Sequence, residues 1–464
     1  MRRKAVVLAA ALLAATGLSA SRVLAQGFSV YEHDACAMGR AGAGVASPCS
    51  GGSAIFFNPA GIVTGQAGRW NVAVGMTMIP PRGSFTDSIS GTTTDLVNNN
   101  IPVPNMYVTR QFGTRLAFGV GVFAPYGLTT EWPTSFIGHF LSYKATIKSI
   151  YMQPTVAFKV TPRLQVGVGV DFVRTSVELH QYVELSSQMT TTPGVTFAML
   201  GVPVGTAFAD ARIHGAGNAT GFHAGVIFKP TDALSLGARY MSGVTVQGAG
   251  YAGFTQLATG ITLAAGNPFG VPAKTPLDAL LASQFSTGRL VTQAVSATLP
   301  MPAQAVVGVD FAVRPNLHVL GDVQWTQWSK FVQLPLTFTG PSAAQQLPAD
   351  TLYEGYKDAY DYRLGVEYAA SPKLTLRAGY VYNTAAAPTF SVTPLLPEGT
   401  RASGIIGAGY QFTSGIRLDL AYMMLKQQDR HGRVIQPPTN GADVNQGLYK
   451  FSANLFSASA AFAF

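Results

Sequence analysis

Few residues of this chain have the types and spacing that do chemistry. Cys36 and Cys49 are its two cysteines. In an oxidising setting two nearby cysteines either pair, closing a short loop, or stay as small core residues. With only His33 close by they do not complete a zinc set, so no metal site is expected. The seven histidines are dispersed, no Ser-His-Asp order is recognisable, and no Gly-rich loop joins a strand to a helix. Neither catalytic machinery nor a cofactor is indicated.

The distinctive stretch is Ser53-Ala54-Ile55-Phe56-Phe57-Asn58-Pro59-Ala60-Gly61. Pro59 has no donor N–H and pushes Asn58 out of the α region, so this is a turn. Ile55, Phe56 and Phe57 ahead of it are apolar enough to need burial. A turn with such a shoulder belongs inside something larger.

Residues 1–25 read as a signal peptide: Arg2, Arg3 and Lys4, then an apolar run from Ala5 to Leu18, then Val23-Leu24-Ala25 for cleavage. That run is 14 residues, too short to span a bilayer as a mature helix. A retained anchor is the alternative. Of the formal charge of +9, four positive charges (Arg2, Arg3, Lys4, Arg22) fall in the leader, leaving +5. These are scattered singly, which argues against a nucleic-acid partner. Charged residues are only 11% of the chain, beside 50 glycines and 11% aromatics; a typical soluble domain has about 25% charged residues. An exported, charge-poor, Gly- and aromatic-rich chain without membrane helices fits a transmembrane β-barrel. A secreted β-sandwich or β-helix is the competing class.

Residues 26–66 form a Gly- and Ala-rich segment without sustained alternation, and residues 67–464 form the barrel. From Trp70 onward the texture is period 2. In Ile416–Met424, Leu418, Leu420, Tyr422 and Met424 share one face and Arg417 and Asp419 the other. Lys373–Tyr382 repeats the scheme. Short polar turns recur after an aromatic, at Phe112, Phe158, Phe228, Phe311, Tyr368 and Phe412. Long connections lie near 81–103, 125–148, 186–210, 255–295, 339–358, 386–400 and 429–449. Six short turns alternating with seven long loops require fourteen strands, with short turns periplasmic and long loops external. Phe456, Ala458, Ala460, Phe462 and Phe464 alternate to a terminal Phe, the closing-strand pattern that outer-membrane barrel-assembly machinery reads. Outer-membrane lipid is then the surrounding partner.

Several ordered stretches resemble the FadL family of outer-membrane transporters for hydrophobic compounds, which includes the TodX-type hydrocarbon channels. They are Met38-Gly39-Arg40-Ala41 with Asn58-Pro59-Ala60, Pro125–Thr130, Leu299–Ala303, Trp325–Phe331, Glu354–Tyr360 and Leu396–Arg401. The resemblance implies an all-β fold, a fourteen-stranded antiparallel barrel whose lumen is closed by an N-terminal hatch. It implies diffusive uptake of long-chain fatty acids or neutral aromatic hydrocarbons, with exit sideways beside a kinked strand. Asn58, Pro59, Ala60, Phe56 and Phe57 become the expected gate.

A hydrophobic ligand needs an apolar route, because each CH₂ gains about 0.8 kcal/mol by leaving water. Trp132, Phe136 and Phe140 in one loop, and Leu281 and Phe285 in another, could form an entry groove or merely a packed cap. By resemblance Arg174 stands where fatty-acid members carry a lumen-facing basic residue. A second basic position falls at Leu352-Tyr353, with Lys357 close by. Arg174 and Lys357 are therefore expected carboxylate contacts, or lumen charges paired with Asp171 and Asp358. An outer-membrane lipolytic enzyme and an adhesin or structural porin are the other classes; the first lacks a nucleophile context, and the second has no use for a plug.

Overall fold

The computed structural model describes residues 27–64, 68–97, 99–190, 194–267, 269, 271–432 and 445–464. The expected leader, the expected boundary at residue 66 and much of the last long loop lie outside them. Fourteen antiparallel staves close into a barrel. They are β1 (Trp70–Ile79), β2 (Ile101–Phe112), β3 (Leu116–Glu131), β4 (Lys144–Thr161), β5 (Leu164–Glu184) and β6 (Ala207–Thr231). The next four are each interrupted once. These are β7 (Leu234–Met241, Val244–Gln256), β8 (Gln293–Met301, Gln304–Arg314), β9 (Leu317–Thr326, Gln333–Thr339) and β10 (Asp350–Tyr353, Ala359–Ala369). β11 (Leu374–Asn383), β12 (Arg401–Thr413), β13 (Ile416–Gln427) and β14 (Gly447–Ala463) complete the ring. β14 pairs with β1, so no sheet edge is left open at the seam.

Alternation sorts the side chains as the sequence pattern requires. On β13 Leu418, Leu420 and Met424 are exposed to the lipid side while Asp419 is buried. On β11 Leu376 and Tyr380 face out and Arg377 faces in. The six aromatics before the short turns are all exposed, forming a girdle at one membrane interface.

Residues 27–64 fill the lumen. Asp34 caps the short helix α1 (Ala35–Gly39) by accepting from Cys36 N at 3.1 Å. A second turn of helix, α2 (Ala54–Phe57), runs into a 3₁₀ turn, Pro59–Ile62. Asn58 caps that turn, its Oδ1 accepting from Ala60 N at 3.1 Å, and Pro59 takes the first helical position, where a missing donor costs nothing. Cys36 and Cys49 are bonded to each other with their Cα atoms 6.3 Å apart, so neither offers a thiolate to the nearby Asp34 for metal binding.

Candidate functional site: a bolted plug and a cavity that opens through the wall

The Asn-Pro-Ala turn is fully enclosed. Asn58 Nδ2 lies 2.6 Å from Val45 O in the plug, and 3.0 and 3.2 Å from Val226 O and Ala238 O in β6 and β7. The wall makes room with glycines. A Cβ on Gly225 would stand 2.1 Å from Asn58 Oδ1, and one on Gly167 would stand 2.4 Å from the Pro59 carbonyl carbon. Other plug bolts are charged. Asp322 accepts from Gly44 N at 2.8 Å and Val45 N at 3.0 Å. Arg239 donates to Phe56 O at 2.9 Å, its guanidinium 4.6 Å from the Phe56 ring. Glu367 accepts from Arg377 at 2.6 Å and faces Arg40 at 3.8 Å. Each such buried, charge-assisted bond contributes about 1.5–3 kcal/mol net. His33 packs on Phe56 with rings 4.6 Å apart, and burial pushes its imidazole down to about 3. It stays neutral across physiological pH.

Above the plug lies a mainly apolar cavity of about 810 Å³. Tyr31, Met38 and Ala41 form its plug side, and Val381, Met423 and Leu455 its far wall. It continues between β2 and β3 to Ile150, which is exposed on the lipid face. The opening has a backbone cause. β2 pairs with β1 from Ile101 to Arg110 but with β3 only from Met106 to Phe112. On the other side, β3 bulges against β4 between Phe123 and Tyr126, at Ala124-Pro125. Its freed backbone turns to the plug: Val30 N donates to Pro125 O and Gly127 N to Phe28 O, each at 2.9 Å. Above the gap Val97 N donates to Glu131 O at 2.8 Å and rejoins the wall.

Seven charged residues line the cavity: Lys144, 4.0 Å from Glu131 and 3.7 Å from Glu178, and Lys148 on the wall, with Arg363, Arg401 and Glu32 deeper in the lumen. Arg363 is spent on Asp361 at 2.9 Å and Gln324 at 2.9 Å and covers Tyr31, 3.6 Å from its ring. Arg401 donates to Gln427 at 3.3 Å and leans over Phe451. Glu32 of the plug folds back to accept from Tyr31 N at 2.9 Å. Burial pushes its carboxyl up, against that hydrogen bond and the pull of Arg363 and Arg401.

The expected ligand contacts lie elsewhere. Arg174 alternates with Phe172 and Val170 on the outer face of β5 and donates to Asn218 at 3.3 Å, so it does not reach the lumen. Lys357 is exposed in the break of β10, and Asp358 is held instead by Trp325 Nε1 and Ser329 N. Trp132 and Phe136 stack on each other at 4.6 Å inside a cluster with Phe85 and Tyr449, with Phe140 half-buried beside His139. Leu281 and Phe285 belong to a separate cluster around Leu185 and Phe208. The two loops therefore form two caps that turn their apolar residues onto themselves. Phe56 and Phe57 pack between plug and wall beneath the cavity. Reading by strand parity would have turned Arg174 outward, since Asp171 and Thr175 are the inward neighbours. The local signal for the opening is Ile101-Pro102-Val103-Pro104, two prolines of one parity in a strand.

A plugged fourteen-stave barrel with an apolar cavity above the plug defines a class of outer-membrane transport proteins. The family model for the outer membrane protein transport protein (OMPP1/FadL/TodX) matches residues 16–464, and the chain belongs to that family. It lies in the outer membrane. The long-chain fatty acid transport protein of Salmonella typhi is 22% identical over 463 residues, covering 98% of this chain and 97% of that one. The 47 kDa outer membrane protein of Pasteurella multocida is 25% identical over 421 residues, covering 89% and 90%. Among solved structures, a Pseudomonas aeruginosa FadL homologue matches with a TM-score of 0.74 at 21% identity, over 94% of this chain and 99% of that one. The P. putida toluene transporter TodX matches at 0.68 and 19%, over 94% and 99%. The family transports hydrophobic compounds.

Proposed function

We propose that this protein takes up long-chain fatty acids by facilitated diffusion, from the cavity above the plug sideways into the membrane. The observation that carries this reading is the cavity's continuation from the lumen to the lipid face between β2 and β3. Its volume suits a drug-sized or larger apolar ligand. A carboxylate in such a place needs a charge-assisted donor, and of the two arginines lining the cavity Arg363 is paired with Asp361 while Arg401 has no carboxylate partner within salt-bridge distance among the described residues. The Asn-Pro-Ala turn, with Phe56 and Phe57, acts as the fixed anchor of the hatch. The moving part is the Phe28–Val30 segment hydrogen-bonded to β3. A second reading, uptake of neutral aromatic hydrocarbons, is favoured by Glu32, which brings its own carboxylate into the same cavity. Catalysis forms no part of either reading; lipolytic turnover by purified protein would contradict both.

Binding of a fluorescent long-chain fatty acid to purified protein separates the two readings. An Arg401→Ala variant should bind it about tenfold more weakly, the effect of one lost charged hydrogen bond of about 1.5 kcal/mol. Toluene uptake should be unaltered. Unchanged fatty-acid binding contradicts the carboxylate role. Arg174→Ala and Lys357→Ala, placed outside the cavity, should change neither ligand's uptake by as much as twofold in a whole-cell assay.

A further inference from the structure

The lipid-facing wall carries a second cavity of about 660 Å³ over β2–β5, toward the short-turn end. Cross-strand register explains it. Trp70, Arg110 and Phe118 form one row across β1, β2 and β3. The next row toward the membrane centre is short: Val108, Val120 and Pro154. Beyond it the row Met106, Val122, Met152 and Phe172 is larger at three of its four positions. A row of small side chains between two rows of large ones leaves a trough along the wall. Pro154 also supplies no ladder donor, and the β4–β5 pairing skips from Met152–Phe172 to Thr155–Gly169 beside it.

Arg110 stands at the end of this trough. It shares the outward parity of Met106 and Phe112, both exposed. Its guanidinium lies 4.9 Å from the Trp70 ring and 4.8 Å from the Phe112 ring. Among the described residues it makes no hydrogen bond or ion pair, and its Nε is buried without a partner. An unpaired cation on a lipid-facing surface is costly at the midplane and tolerable at the interface, where a headgroup can meet it. The girdle places Arg110 at that interface. The adjoining strand ends carry Arg69, Arg115, Lys159 and Arg163, and no acid falls between Trp70 and Asp171 on the short-turn side. Trough and basic rim are complementary to one kind of molecule, an acyl chain joined to a phosphate.

We propose that this trough binds an anionic glycerophospholipid of the periplasmic leaflet, one acyl chain over Val108 and Val120 and the phosphate at Arg110. The site faces away from the transport cavity and does not depend on the ligand carried.

The test is native mass spectrometry of the full-length protein in detergent, given phosphatidylglycerol and phosphatidylethanolamine of identical chains in equal amounts. Phosphatidylglycerol should be retained at least fivefold over phosphatidylethanolamine. Arg110→Gln should abolish that preference. Val168 lines the trough on β5, and Val168→Phe, which fills it and leaves Arg110 in place, should lower retention of both lipids at least threefold. Equal retention of the two lipids by the unaltered protein overturns the proposal, as does a preference that persists in Arg110→Gln. Retention of lipopolysaccharide in their place points to the other leaflet and also overturns it. If Arg110→Gln does not assemble, Val168→Phe decides, and undiminished retention overturns the proposal.

Discussion

Replacing Pro102, Pro104 and Pro125 together by valine should cut fatty-acid uptake at least tenfold while the barrel still folds. The β1–β2 ladder runs unbroken past Met78–Pro102 and Met76–Pro104, which puts both prolines at its non-hydrogen-bonded pairs. Their missing N–H groups therefore face β3, the edge that lacks a partner. Pro125 sits in the bulge on the opposite side. Valine restores three donors and a good strand former, and each backbone bond gained adds about 0.5–1.5 kcal/mol net toward a closed wall. Labelled oleate uptake and heat-modifiable migration on a gel are the readouts. Unchanged uptake by a folded variant rules out passage between β2 and β3.

The second large effect concerns the plug. A Gly225→Val substitution should raise the sensitivity of cells to large hydrophilic antibiotics at least tenfold. Its Cβ would meet Asn58 Oδ1 at 2.1 Å and Pro59 Cδ at 2.7 Å, and neither the enclosed Asn58 side chain nor the rigid Pro59 ring can move aside cheaply. Displacing Asn58 removes the amide that ties Val45 O of the plug to Val226 O and Ala238 O of the wall, at about 0.5–1.5 kcal/mol net for each hydrogen bond lost. Gly404→Val is the matched control, because a Cβ there meets nothing within 4 Å. Equal sensitivity of the two variants would show that the turn does not hold the plug.

Much of this architecture is legible in the sequence because a barrel states its rules locally. Period-2 alternation, aromatics before Pro/Gly turns and the contrast of short and long connections gave strand number and orientation without tertiary information. The plug turn is equally local, because Pro59 pushes Asn58 out of the α region. The ligand contacts are a different matter, since they depend on which face a residue takes and on what a loop folds against. Family position suggests a lumen-facing Arg174, whereas its parity with Phe172 points outward. The apolar residues Trp132, Phe136, Leu281 and Phe285 read alike whether they line a groove or bury one another, and their partners Tyr449 and Phe208 are far away in the chain. Arg401 and Glu32 carry no local signal at all; only the closed barrel brings them to one cavity.

This barrel passes hydrophobic molecules across the outer membrane. The most direct measurement of that passage is uptake of labelled oleate, with labelled toluene beside it, by an outer-membrane strain without its own fatty-acid channel, with and without this protein. Oleate uptake well above the vector control, at a barrel level confirmed by heat-modifiable migration, is the predicted result. Uptake of neither compound above control, with the barrel folded, contradicts it.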